Sequence, residues 1–496
     1  MTVAGDLSWP LAHAASRFGD APAVAAGGRT LTYAELARRV GGVGAALGGL
    51  GERIGYLGAN SLAHLEAWLA VPAFGRVLVD LNFRLSIDEL AFMVQDAAVD
   101  VLVADAERRD VAQQLGVDVI GEDEWDALAA GTPVSPPGVE AAALAAISYT
   151  GGTTGRPKGV MLSHENLLAN ARHNLIATGH TANDVWLHFC PMFHVAGTAN
   201  VFACTWAGGR QVVLPRFDPA AVLAAIERER ATHAVFVPTM LAMLLDHPGF
   251  DAADLSSLRH IQYAASPIAP ELQRRVLDAF DCDVAQFYGM TEAAPTVSHL
   301  TPQDHRDEER LGSMGAPVAG VQVQVRGPQG DALAPGEIGE LWIRGPNVML
   351  GYWNRPDATA EAIVDGWYRS GDIARADERG YLYMVDRAKD MIITGGENVY
   401  SIEVEAVLAD HPAVREAAVF GVPHERWGEA VHAVVVLDGD ADTEALIEHC
   451  RRRIAGFKVP RSVEIRNEAL PKSGAGKVLK SELREPFWHG HDRRVS

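Results

Sequence analysis

The sequence predicts an α/β protein, and three observations carry that prediction. Apolar strand-like runs recur along the chain, among them VLVA (101–104), VQVQV (321–325) and AVVVL (433–437). Ala/Leu-rich helical runs alternate with them, as in PAAVLAAIERER (219–230) and the segment from Ile402 to Leu408. The chain has 496 residues, 48% of them hydrophobic and 22% charged, which is the balance of a folded protein with a large core. As a prior, that length suits about three domains of roughly 150 residues.

Taken in order, the first element is a helix opened by Thr32 and Glu35. They form a T-x-x-E capping box, in which each side chain satisfies an orphan backbone donor of the other. The stretch LAAGTPVSPPGVE (128–140) is a Pro/Gly loop between lobes. LAAISY (144–149) reads as a buried strand, and a glycine-rich loop follows it. The longest apolar run, AVFVPTMLAMLL (234–245), is too short to span a bilayer and contains Pro238. The first basic residue is Arg17, so a positively charged leader is not expected. Cys190, Cys204, Cys282 and Cys450 are far apart, which gives neither a disulfide scaffold nor a metal knuckle. The expectation is a cytoplasmic protein without a membrane-inserted segment, peripheral contact aside, and either a monomer or a homodimer.

The net charge of −21 argues against a nucleic-acid-binding body. It is unevenly spread: residues 451–496 hold 12 Lys+Arg against 5 Asp+Glu, a basic tail on an acidic body. Arg outnumbers Lys 37 to 6, so each lysine is worth locating: Lys158, Lys389, Lys458, Lys472, Lys477 and Lys480.

The loop TGGTTGRPKG (150–159) joins two strand-like runs. Gly151, Gly152, Gly155 and Gly159 let backbone N–H groups close around phosphate oxygens. Thr150, Thr153 and Thr154 add hydroxyls, and Lys158 adds a compact charge. Pro157 before the lysine and Gly159 after it exclude a Walker A loop, and Val478 excludes one at GAGKV (474–478).

YTGGTTGRPKG (149–159) resembles the phosphate-binding signature of the adenylate-forming enzymes, the superfamily of acyl-CoA synthetases, firefly-type luciferases and nonribosomal-peptide adenylation domains. The resemblance runs from TLTYAELARRV (30–40) to PKSGAGKVLK (471–480), with several motifs in family order. It implies a large N-terminal domain, residues 1–388, built from two α/β sheet lobes and a β-barrel-like lobe. A small mobile α+β domain, residues 389–496, would follow a hinge at Lys389.

The remaining roles are those the resemblance implies. In QFYGMTE (286–292), Tyr288 stacks on adenine, Gly289 and Met290 line the nucleotide, Thr291 bonds the α-phosphate and Glu292 ligates Mg2+. YAASP (263–267) lines the other adenine face through Ala265, Ser266 and Pro267. Here Ala264, Ala265 and Ser266 replace the more usual Gly-Gly-Ala or Gly-Ala-Ala. Asp372 in YRSGD and Arg387 in DRAKD clamp the ribose. Ile393 stands where many relatives carry a polar AMP contact. Gly395 and Gly396 line the pantetheine tunnel, and GVPHERWGE (421–429) resembles the segment near the CoA nucleotide, with Trp427 read as packing. Lys477 is the adenylation lysine.

The activity so implied is ATP-dependent conversion of a carboxylic acid to an acyl-AMP, with pyrophosphate released, followed by transfer to CoA. Lys477, Lys158, Thr291, Mg2+ at Glu292 and a gate at His194 are the expected catalytic groups, with ATP, Mg2+ and CoA required. The acyl wall would include His194, Val195, Val237, Tyr263, Ala264, Gly289 and Met290. No Arg or Lys lies in these segments, so an apolar fatty or aryl acid is expected over a dicarboxylate, unless Arg84 or Arg216 folds into the pocket. The alternatives are a ligase passing the acyl group to an amine or a carrier protein, a luciferase-like oxygenase, and a nonenzymatic nucleotide-binding scaffold.

Overall fold

The computed structural model describes residues 5–150, 157–395, 397–472 and 478–489. The α/β prediction holds element by element. VLVA is the strand Val101–Ala104, VQVQV becomes Gln322–Arg326, and AVVVL closes the strand Gly428–Leu437. The predicted helices are Pro219–Glu229 and Ser401–Ala409. The capping box at the start of Tyr33–Leu47 is present: the Thr32 hydroxyl accepts from Glu35 N–H at 3.2 Å, and the Glu35 carboxylate accepts Thr32 N–H at 2.9 Å. The apolar run 234–245 divides at Pro238, which ends the strand His233–Phe236 and opens the helix Pro238–Leu245. Among the described residues no helix is long and apolar enough to cross a membrane.

The chain forms two compact units. The first comprises 1–267, 272–322 and 343–368, and the second comprises 268–271, 323–342 and 369–496. The expected division at 388/389 thus falls within the second unit's run of chain.

Among the described residues, the first unit carries a nine-stranded and a seven-stranded sheet. In the nine-stranded sheet, Val185–His188, His233–Phe236, His260–Ala264 and Asp283–Gly289 run parallel. Their carboxyl ends therefore collect on one edge, delivering Ala264 and Tyr288–Gly289 side by side; ligands in such sheets bind at this edge. In the seven-stranded sheet, Leu144–Thr150 and Lys158–Ser163 pair antiparallel, with Thr150 opposite Lys158. A five-stranded sheet contains Trp367–Ala376 and Leu382–Arg387.

The second unit's own sheet pairs Val414–His424 with Gly428–Leu437 along their length. Its core packs Ile392, Val404, Leu408, Val419, Val431 and Leu446 against one another.

Candidate active site

In the first unit, the QFYGMTE motif leaves the end of the strand Asp283–Gly289 and turns sharply. Met290 N–H donates to Pro295 O at 3.0 Å, closing the turn. Gly289 is required there, because a Cβ would lie 1.8 Å from that same carbonyl oxygen. Thr291 and Glu292 begin the short 3-10 turn Thr291–Ala293, with Thr291 buried and Glu292 half-buried. Tyr288, half-buried, precedes them.

Glu292 is held from two sides. Its backbone carbonyl accepts Met349 N–H at 2.8 Å, and its carboxylate accepts the Tyr352 hydroxyl at 3.1 Å. The Tyr352 ring in turn lies 4.9 Å from Lys158 Nζ, within reach of a cation–π contact. Burial first, then the Glu292 charge, pushes the Tyr352 hydroxyl well above its ordinary range, so it donates. Glu292, Tyr352 and Lys158 form one chain: carboxylate, phenol, ammonium. A carboxylate held this way is a hard oxygen donor of the kind Mg2+ takes while keeping waters and sharing phosphate oxygens, so the residues present fit that ion.

Tyr352 was not among the expected site residues, and neither was Asn347. Asn347 is fully buried, and its amide donates to Ala293 O at 2.8 Å and Thr296 O at 2.9 Å, fixing the turn that carries Glu292. Asn166 fixes the same segment from below, donating to Pro346 O and Val348 O at 2.8 Å each. The run GPNVMLGYW (345–353) carries a signal for this: a polar residue inside an apolar stretch, followed by a Gly and two aromatics.

The other adenine-side segment follows the strand His260–Ala264. Ala265 has φ +76°, a left-handed conformation that costs an L-residue about 1–2 kcal/mol. Ser266 and Pro267 follow and are progressively more exposed. Tyr263 is wholly buried; its hydroxyl takes a hydrogen bond from Gln273 at 2.8 Å and lies 2.9 Å from His305 Nε2. Val195 and Val237 are buried. His194 is half-buried and caps the short helix Val195–Thr198, its Nδ1 accepting Ala196 N–H at 3.2 Å.

In the second unit, Asp372 and Arg387 stand directly opposite on paired strands, with Arg387 Nε 3.3 Å from Asp372 Oδ1. Asp372 is buried while the guanidinium is 42% exposed, so the carboxylate is fixed and the arginine can reach outward. Gly371 has φ +69°, and its carbonyl accepts Ala388 N–H at 2.9 Å. Lys389 follows. Burial is the largest effect on its ammonium and lowers its pKa. Its carbonyl accepts from Arg484 at 3.3 Å.

Gly395 has φ +62°, and its N–H donates to Trp427 O at 2.9 Å. Trp427 stacks on His424, and the Arg461 guanidinium lies 4.5 Å from its ring centre. Gly151, Gly152, Thr153, Thr154, Gly155, Gly396 and Lys477 lie outside the described residues.

Paired strands flanking the glycine-rich sequence, a carboxylate–tyrosine–lysine chain at a parallel-sheet edge and an Asp–Arg pair are consistent with an adenylate-forming enzyme. The comparisons with known proteins agree. The AMP-binding enzyme family matches residues 11–353, and the AMP-binding enzyme C-terminal domain matches residues 403–477; the chain belongs to this family. A feruloyl-CoA synthase from Amycolatopsis sp is 44% identical over 97% of this chain and 98% of its own. ATP-bound MatB from Rhodopseudomonas palustris superposes with a TM-score of 0.89 at 32% identity, covering 98% of this chain and 100% of that one. The amide bond synthetase McbA from Marinactinospora thermotolerans superposes with a TM-score of 0.88 at 33% identity, covering 97% and 100%. The chain is an AMP-forming acid–CoA ligase that uses ATP, Mg2+ and CoA.

Proposed function

We propose that the acid is an aryl acid of the hydroxycinnamate type. The observation that carries this reading is the 44% identity, nearly end to end, with a feruloyl-CoA synthase. The absence of cations in the wall segments supports it. Arg216 is exposed, whereas the exposed Arg84 lies over the Phe83 and Phe193 rings, at 5.6 and 5.7 Å, which sets a cation beside the wall residue His194.

A carboxylate is a poor acyl donor, because its leaving group would be oxide. Its oxygen attacks the α-phosphorus of ATP, forming the acyl-AMP anhydride and releasing pyrophosphate. Negative charge grows on the α-phosphate and on the leaving oxygen. Lys158, Lys477 and Thr291 would stabilise it, with Glu292 holding Mg2+, whose charge neutralises phosphate oxygens. Asp372 and Arg387 would hold the ribose, and Tyr288 the adenine. The CoA thiol then attacks the carbonyl carbon and AMP leaves, with Gly395 and Gly396 clearing the path of the pantetheine arm. We assign Lys389 as the hinge between 1–388 and 389–496 that separates the two steps. Three buried free thiols suit a reducing cytoplasm.

The test is pyrophosphate release across ferulate, coumarate, benzoate, octanoate, palmitate and malonate, each with and without CoA. Ferulate or coumarate should lead, and a preference for palmitate or malonate overturns the aryl reading. Lys477→Ala should lose about 100-fold or more in acyl-AMP formation yet still pass a supplied acyl-AMP to CoA. Equal loss of both steps removes Lys477 from its role. The likeness to an amide bond synthetase favours an amine acceptor as the second reading, and amide product formed without CoA would establish it.

A further inference from the structure

At the amino ends of the parallel strands, on the edge opposite the candidate site, three metal-ligating side chains converge. Asp184 precedes the strand Val185–His188, His233 begins the strand His233–Phe236, and His180 lies in the loop after the helix His164–Thr178. The His180 and Asp184 side chains are 0% and 3% exposed, and His233 is 7% exposed. His180 Nδ1 and His233 Nε2 each lie 3.9 Å from the same oxygen, Asp184 Oδ2. That is too long for a hydrogen bond. The three ligand atoms fall within 4.8 Å of one another, so the space they enclose is lined by lone pairs.

The outer nitrogens are occupied. His180 Nε2 lies 3.3 Å from Asn200 Oδ1, which can only accept, so the ring proton belongs on Nε2 and the Nδ1 lone pair faces inward. The Asn200 amide is turned this way because its nitrogen donates to Gln262 at 3.2 Å. The Thr178 hydroxyl, which donates to Asn174 O at 2.7 Å, lies 3.2 Å from both His180 nitrogens. His233 Nδ1 lies 2.8 Å from the Thr232 hydroxyl, which is placed to donate to Val185 O. With that proton on Val185, Nδ1–H donates to Thr232 and Nε2 offers its lone pair to the centre.

A polar partner on the far nitrogen is how proteins orient imidazoles toward a metal. The Trp186 ring, stacked on His233 and edge-on to His180, fixes both rings further. Arg259 pairs with Asp184 Oδ1, and Thr181 N–H donates to Oδ2 at 2.8 Å, leaving Oδ2 a lone pair toward the imidazoles.

We propose that His180, Asp184 and His233 bind a divalent transition metal of the Zn2+ class, with water completing the shell. Two imidazoles and one carboxylate are a borderline donor set suited to such ions and not to Mg2+. Tetrahedral ligation at about 2.0–2.1 Å needs ligand atoms about 3.3 Å apart, so each nitrogen closes on Asp184 Oδ2 by about half an ångström and the two nitrogens draw together to the same spacing. The site would tie the loop after the helix His164–Thr178 to two strands of the sheet. It lies a strand's length, on the order of 10 Å, from the edge where the substrate residues collect, so its role is structural.

The test uses the full chain purified without a histidine tag. Elemental analysis should find one zinc per chain, and chelator-stripped protein should regain its thermal midpoint on Zn2+ addition. Co2+ in its place should give the visible absorption of a low-symmetry nitrogen–oxygen site. His233→Gln and His180→Gln should each weaken Zn2+ binding about tenfold or more while leaving pyrophosphate release intact. If one variant fails to fold, the other and the Co2+ spectrum of the unaltered chain decide. Substoichiometric zinc with no Co2+ spectrum, or equal affinity in a folded variant, overturns the proposal.

Discussion

In the first unit the turn Thr291–Ala293 is held by neutral groups: Asn347 donates to two carbonyls, and Asn166 braces the segment that carries Asn347. In the second unit the helix Ser401–Ala409 is held by charge. Lys458 bonds both oxygens of Glu403 at 2.7 Å, and Lys480 pairs with Glu405 at 2.7 Å while donating to Ser401 at 2.7 Å. Lys472 ties Glu416 of the neighbouring strand at 2.8 Å. Neutral bonds to backbone carbonyls hold a turn regardless of salt. Ion pairs hold a helix strongly only where they are dry, because each charge must first leave water. The turn Thr291–Ala293 is therefore a platform that salt does not loosen, and the helix Ser401–Ala409 is an element whose firmness depends on a few charges.

Acid is the sharpest way to break this contrast, because buried histidines of the first unit respond to pH where the amide bonds at the turn do not. His164, His173 and His299 are buried, and burial pulls each from the usual 6.5 to about 4. Leu7 N–H donates to His164 Nδ1 at 3.1 Å, a bond that needs the unprotonated ring. The unfolded chain takes up these protons below about pH 6.5 while the folded chain does not. Stability is thus full above pH 6.5 and is lost as pH falls toward 4, by about 1 kcal/mol per pH unit per histidine. Urea unfolding followed across that window should show the slope, and a flat profile would remove the histidines from the account.

Lys480→Ala should cost about 3 kcal/mol, since it leaves the half-buried Glu405 carboxylate without its cationic partner. Burial already raises the Glu405 pKa, and loss of the neighbouring ammonium should raise it further, visible as a pH-dependent urea midpoint. Asn347→Ala should cost about 2–4 kcal/mol by stranding two buried carbonyls, with slower pyrophosphate release and no dependence on salt. Tyr352→Phe should be the mildest. The fold stands, and loss of the hydroxyl on Glu292 costs about 1.5 kcal/mol, roughly tenfold in adenylation rate. An unchanged rate would make Tyr352 a packing residue.

The strands flanking the glycine-rich segment, the QFYGMTE turn and the Asp372–Arg387 pairing were legible in the sequence because their residues sit together in short motifs or face each other across one hairpin. Strands and helices were legible for the same local reason. Tyr352 and Asn347 were not, since their partners lie 60 and 51–54 residues away and no spacing announces the pairing. The cluster of His180, Asp184 and His233 is assembled by parallel strand register, which a sequence does not print. Lys458, Lys472 and Lys480 could be counted but not assigned, because the glutamates they meet lie 55, 56 and 75 residues away.

Those three lysines have a chemical consequence. An acyl-AMP is an electrophile that acylates amines, and a protein that makes one is the nearest target for its own product. In this chain arginine, which is not nucleophilic, takes most cationic positions, and three of the six lysine amines lie against carboxylates. A ligase built this way presents its reactive anhydride with few amines to acylate besides those that belong to the catalytic cycle.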